Sequence, residues 1–92
     1  MQFEWDERKA AENLAKHGVP FAYVVRAFLD PHRIDEADER RDYKEDRRVM
    51  IGKIDERVFV VAYTLRGKFI RLISARKANP REQRKYNETL PT

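Results

Sequence analysis

A chain of 92 residues with 41% hydrophobic content has room for one compact domain, over residues 1–92, and little surplus core for a second. It holds no cysteine and only two histidines, His17 and His32, which excludes disulfides, thiolate nucleophiles and sulfur-ligated zinc and leaves little for a nitrogen-ligated metal. The net charge of +4 is unevenly divided: residues 1–46 carry 8 Lys/Arg against 12 Asp/Glu, residues 47–92 carry 12 against 4, so the second half is suited to a polyanion or an acidic protein.

In chain order, alternation over residues 2–5 predicts a brief strand, and Asp6 stands where an N-cap belongs. A helix follows to His17. Lys16 and His17 place positive charge at the negative end of its dipole, and Gly18 can close it in the left-handed conformation. Its apolar stripe reads Ala10, Ala11, Leu14 and Ala15. Pro20 opens a second helix with Phe21, Val24, Val25 and Phe28 at i, i+3, i+4 and i+7, and Asp30-Pro31 stops it. Over residues 32–46, weak alternation around Ile34 predicts a short edge strand. The acids that follow, interleaved with Arg40, Arg41 and Lys44, read as a solvated loop.

Three segments rich in Val, Ile, Phe and Tyr come next, over residues 47–54, 58–65 and 69–76, with turns at Asp55-Glu56 and Arg66-Gly67. They predict an antiparallel meander. The middle segment is apolar at both parities, so it should be central and covered on both faces. Asn79-Pro80-Arg81-Glu82 reads as a capping box opening a last helix to about Glu88, with residues 90–92 expected to fray. The fold class is α+β in the order β-α-α-β-β-β-β-α: an antiparallel sheet with two N-terminal helices packed on it and a C-terminal helix. No apolar run suits a membrane span and the polar start is unlike a signal peptide, so a cytoplasmic chain without membrane contacts is expected.

Phe3, Trp5, Asp6, Lys9, Asn13, Lys16, His17, Gly18, Val19 and Phe21 resemble the N-terminal signature of the BrnT toxin family. Phe28, Asp30, Arg48, Ile51-Gly52, Tyr63-Thr64, the run from Arg71 through Ala78, Glu82 and Tyr86 extend the resemblance over nearly the whole chain. The resemblance implies a RelE-like endoribonuclease toxin of a type II toxin–antitoxin system. It also implies a BrnA-like antitoxin as partner, RNA as substrate, and contact with operator DNA only through that antitoxin.

Cutting RNA without a metal or other cofactor uses the neighbouring 2′-hydroxyl as nucleophile, and the protein must move protons and stabilise a phosphorane rich in negative charge. A guanidinium suits the last task because it stays charged and grips two phosphate oxygens. Arg76, placed by alternation on the face of Ser74 and Leu72 at a strand end, is the first candidate, with a strand-end salt bridge as its alternative. Arg48, alternating with Met50, is the second, or else a solvated edge residue. Arg71 has the opposite parity from Arg76, so the two cannot share a ligand unless twist or a bulge intervenes; it reads as an RNA contact or, preferably, an internal ion pair. His17 is a candidate base, with a helix-end stabiliser as the preferred alternative. Glu82 is a catalytic candidate already used in a capping box, and Tyr86 an acid or stacking ring that is more often core. Trp5 can stack a base or plug the core.

Arg66, Lys68, Lys77, Arg81, Arg84 and Lys85 complete a phosphate-tracking rim. Arg81, Arg84 and Lys85 share a helix side that suits an acidic antitoxin segment as well. A module that binds nucleic acid or protein without cutting is the competing reading. The nuclease mechanism read here requires Arg48 and Arg76 to converge in one solvent-reachable hollow.

Overall fold

The computed structural model describes residues 1–38 and 46–91. The loop expected through residues 39–45, with Glu39, Asp42 and Glu45, lies outside the described residues, as does Thr92. The elements are β1 (Gln2–Glu4), α1 (Glu7–His17), α2 (Phe21–Val24) continued by a 3₁₀ turn (Val25–Leu29), β2 (Ile34–Ala37), β3 (Arg47–Ile54), β4 (Arg57–Arg66), β5 (Phe69–Lys77) and α3 (Pro80–Glu88). The local punctuation explains most boundaries. The Asp6 carboxylate accepts from the amides of Arg8 and Lys9 at 2.8 and 3.1 Å, and Gly18 closes α1 at φ 70°.

Among the described residues five strands form one sheet in the order β1-β5-β4-β3-β2, so the architecture is α+β. The sheet is mixed, which corrects the antiparallel expectation: β2 to β5 pair antiparallel, but β1 lies parallel to β5 with Phe3 opposite Ile70. A parallel neighbour needs a long crossover, and pairing between such distant segments leaves no local trace in the sequence.

The two faces of the sheet are covered differently. On one, here the helix side, α1, α2 and the 3₁₀ turn bury Val19, Phe21, Val24 and Phe28 against Met50, Phe59, Val61, Tyr63 and Leu72. On the other, α3 is the one helix among the described residues that covers the sheet, seating Tyr86 over Ile51, Val58 and Val60. Strand β4 is buried at both parities, as a central strand must be. Gly52 lets the 3₁₀ turn approach β3, since a Cβ there would stand 2.7 Å from the Ala27 carbonyl oxygen.

Four further expectations change. Of the apolar stripe read on α1 only Ala10 packs on the core: Leu14 is 48% exposed, Ala11 and Ala15 are exposed, and Asn13 is the buried residue. Asn13 Nδ2 donates to the carbonyls of Val19 and Ala75 at 3.1 and 2.8 Å, and its Oδ1 accepts from the Ala75 amide at 3.0 Å. A side chain that satisfies three backbone groups is worth more inside than a leucine with room on the surface. Leu90 does not fray but packs against the Tyr86 cluster. The β4–β5 turn is centred on Gly67-Lys68, one residue later than expected, with Gly67 at φ 59°.

The fourth change is the most consequential. Ala62 pairs with Ser74 but Tyr63 pairs with Leu72, so Ile73 is an extra residue on β5. Leu72 and Ala75 thereby both face the helix side, each 1% exposed. Burying a leucine is worth about 2 kcal/mol, against about 1 kcal/mol for a forfeited ladder hydrogen bond. The bulge is the cheaper solution, and it reverses the parity of everything that follows.

Candidate functional site

Arg76 pairs with Val60 at the far end of β5 and, past the bulge, stands on the α3 side together with Ser74. It does not share a face with Leu72, as simple alternation required. The first turn of α3 meets it. Asn79 caps that helix by accepting from the Glu82 amide at 2.8 Å, and Glu82 Oε1 accepts from the Asn79 amide at 2.9 Å. The same carboxylate takes both terminal nitrogens of Arg76, each at 2.7 Å. Capping therefore fixes the carboxylate, and the carboxylate fixes the plane of the guanidinium.

These two residues lie in a hollow of about 430 Å³ between the sheet and α3. Its floor is apolar, from Val49, Ile51, Val60 and Ala62. Arg81 and Lys85 line the α3 wall, Glu36 and Asp38 the opposite one. Lys85 Nζ reaches across to Glu36 at 2.6 Å, tying β2 to α3. Cations and carboxylates are thus interleaved: the acidic first half of the chain contributes a wall to the basic second half.

Arg48 goes elsewhere. Its neighbour across β4 is Tyr63, so it projects to the rim of the helix side, where its Nε lies 3.5 Å from Asp35. Tyr63 donates its hydroxyl to Asp35 at 2.6 Å, and burial together with that bond raises the phenol to about 12. The sheet stands between Arg48 and Arg76. The convergence expected from the sequence does not occur, because strand parity and the bulge send the two guanidinium groups to opposite faces, and the two-arginine mechanism that required it falls with it.

The remaining candidates divide in the same way. His17 is half-buried at the end of α1 on the helix side, away from the hollow. Tyr86 is 1% exposed and donates its hydroxyl to Asp30; burial and this bond push its pKa up, so it pins α3 to the corner before β2. Burial raises the Asp30 carboxyl, but the bonds from Tyr86 and from the amides of His32 and Lys53 outweigh it and hold the group below its ordinary value. A second hollow of about 430 Å³ surrounds this carboxylate, whose acceptors are already engaged.

The bulge brings Arg71 to the same face as Arg76, yet Arg71 is held by Glu4 of the neighbouring strand. Arg66 and Lys68 flank the β4–β5 turn, some seven strand residues or about 23 Å from Arg76. Lys77 falls on the helix side opposite Phe59, and Arg84 is exposed outside the hollow. Trp5 packs edge-on against Phe21, on the core side of its alternatives. The residue most plainly missed is Asn13, which anchors the β5 segment carrying Arg76. Its signal was present: Ala10, Asn13 and His17 share one helical face.

A family model described as the ribonuclease toxin, BrnT, of a type II toxin-antitoxin system matches residues 5–82. The chain belongs to this family. A search of curated proteins finds no match to it. The BrnT family is one of ribonuclease toxins, and a type II system implies an antitoxin partner. The matched span takes in Asn13, Ser74, Arg76, Arg81 and Glu82 and stops short of Lys85 and Tyr86. No helix among the described residues is long and apolar enough to cross a membrane.

Proposed function

We propose that this chain is a metal-independent endoribonuclease whose scissile phosphate sits in the hollow between α3 and the sheet, without Arg48. The observation that carries this reading is the fixed Arg76–Glu82 pair beside Arg81 and Lys85 in a solvent-reachable concavity. Family membership supplies the substrate class. In this reading Arg76 stabilises the phosphorane, Arg81 and Lys85 hold phosphate oxygens, and Glu82 orients Arg76 and accepts the 2′-hydroxyl proton. The reaction is an internal transesterification: the 2′-oxygen gives its proton to Glu82 and bonds to phosphorus, the bond to the 5′-oxygen breaks, and that leaving oxygen takes a proton from solvent water, giving a 2′,3′-cyclic phosphate and a 5′-hydroxyl.

The RelE-like relationship and the cytoplasmic site of action belong to the same proposal. A cognate antitoxin neutralises the toxin, and the pair represses its operon through the antitoxin's DNA-binding part. The decisive experiment incubates pure protein with RNA in excess chelator. Cyclic-phosphate ends from wild type, and about 10² to 10⁴ less cleavage from Glu82→Gln at unchanged RNA affinity, are the expected results. Full-length RNA with the fold intact by circular dichroism overturns the proposal. It would favour a binding module, in which the bidentate Arg76–Glu82 pair serves only to fasten α3 to the sheet.

A further inference from the structure

Arg57 and Lys77 differ from most of the strand cations. Arg71, Arg76 and Arg48 are each paired to a carboxylate, whereas neither Arg57 nor Lys77 forms an ion pair among the described residues. Both stand at the end of the sheet where β4 begins and β5 finishes, within three residues of Arg76 along the ladder. They line a small hollow on each face: one on the α3 side beside Ala78 and Gln83, the other, of about 270 Å³, on the helix side.

The helix-side hollow has the walls of a base-binding site. Tyr23, 37% exposed, meets the edge of Phe59 at a ring separation of 5.9 Å, and Pro20 completes the apolar surface. Arg26 sits over the Tyr23 ring at 5.4 Å without lining this hollow. Gly18 at φ 70° sets the turn that places Pro20. Asn13 bonds that turn to Ala75 on β5, so the hollow's wall and Arg76 are held by one side chain. A base needs a π-face and an apolar enclosure, and its phosphates need cations free to meet them. Both are here together.

We infer that the Tyr23–Phe59–Pro20 hollow is a nucleobase subsite of single-stranded RNA, reached by a strand that rounds the sheet end over Arg57 and Lys77 from the Arg76 hollow. This rests on the proposed nuclease reading and adds to it the form of the substrate: one unpaired nucleotide, splayed from the reacting phosphate and stacked. Duplex RNA cannot present a base there, so it should be a poor ligand.

The test uses fluorescein-labelled 2′-O-methyl RNA hexamers, which cannot undergo 2′-hydroxyl attack, with affinity read by anisotropy. Tyr23→Ala should weaken binding about tenfold, and Tyr23→Phe should restore it, because stacking needs the ring and not the hydroxyl. The double variant Arg57→Ala/Lys77→Ala should flatten the slope of log affinity against log salt by about 1.4, the share of two phosphate contacts on a single strand. This surface pair keeps the test decisive if Tyr23→Ala fails to fold. Wild-type affinity and salt slope in the double variant, in a protein that still cuts RNA and loses cutting in Arg76→Ala, overturn the subsite and leave the nuclease reading standing. A wild type that cuts nothing overturns the nuclease reading itself.

Discussion

Both faces of the sheet carry arginines but they differ in cover, and cover decides what an arginine can do. On the helix side, three consecutive elements close over the strands, and Arg48 is left at the rim with Asp35 and the Tyr63 hydroxyl. On the α3 side, among the described residues, one nine-residue helix leaves part of the sheet open, and Arg76 lies in the resulting concavity. A charged side chain beside a closed core becomes a fastening; the same side chain beside a half-covered apolar floor can meet a ligand. The difference is one of geometry, not of residue type.

The sharpest break of this contrast is Arg76→Ala. Losing the guanidinium should cut RNA cleavage by about 10² to 10³, the usual cost of removing one donor aimed at developing negative charge. Unchanged turnover, measured as cyclic-phosphate release, would move the chemistry out of the α3-side hollow.

Next in size is Asn13→Ala, which leaves three buried backbone groups without their partner and should cost about 3 kcal/mol in urea melts. Gly52→Ala should cost about 2 kcal/mol, because its Cβ meets a backbone oxygen that cannot swing aside. Either protein melting like wild type would mean that the helix side is looser than its contacts show.

Tyr86→Phe should cost about 1.5 kcal/mol at neutral pH, the worth of a hydrogen bond to a charged group. Asp30 is held below its ordinary carboxylate value when folded, so its contribution is complete above about pH 4 and lost as acid carries the pH down through the folded value. The variant should therefore lose less stability than wild type on acidification. Parallel acid-melting curves would refute the Tyr86–Asp30 link. The smallest effect belongs to Arg48→Ala, whose partly exposed pair is worth about 0–1 kcal/mol. Its cleavage should stay close to that of wild type; a large loss would return the site to the helix side.

Much of the fold was legible because its signals are local. Asp6 and Gly18 bound α1, Asn79-Pro80 with Glu82 starts α3, and the double parity of β4 announces a central strand. The site was only half legible. That Glu82 is a capping residue follows from four consecutive residues, but that its carboxylate also holds Arg76 depends on where α3 docks.

The sequence by itself determined the α+β class, the helix ends and the basic second half, since caps, periodicity and charge act over a few residues and need no partner. Tertiary structure alone decided that β1 joins β5 in parallel, that the extra residue Ile73 shifts the parity of β5, and that Arg48 and Arg76 face opposite ways. Those outcomes arise from competition among distant groups for burial and hydrogen bonds. A leucine kept inside at the expense of one ladder bond changes the face on which an arginine appears.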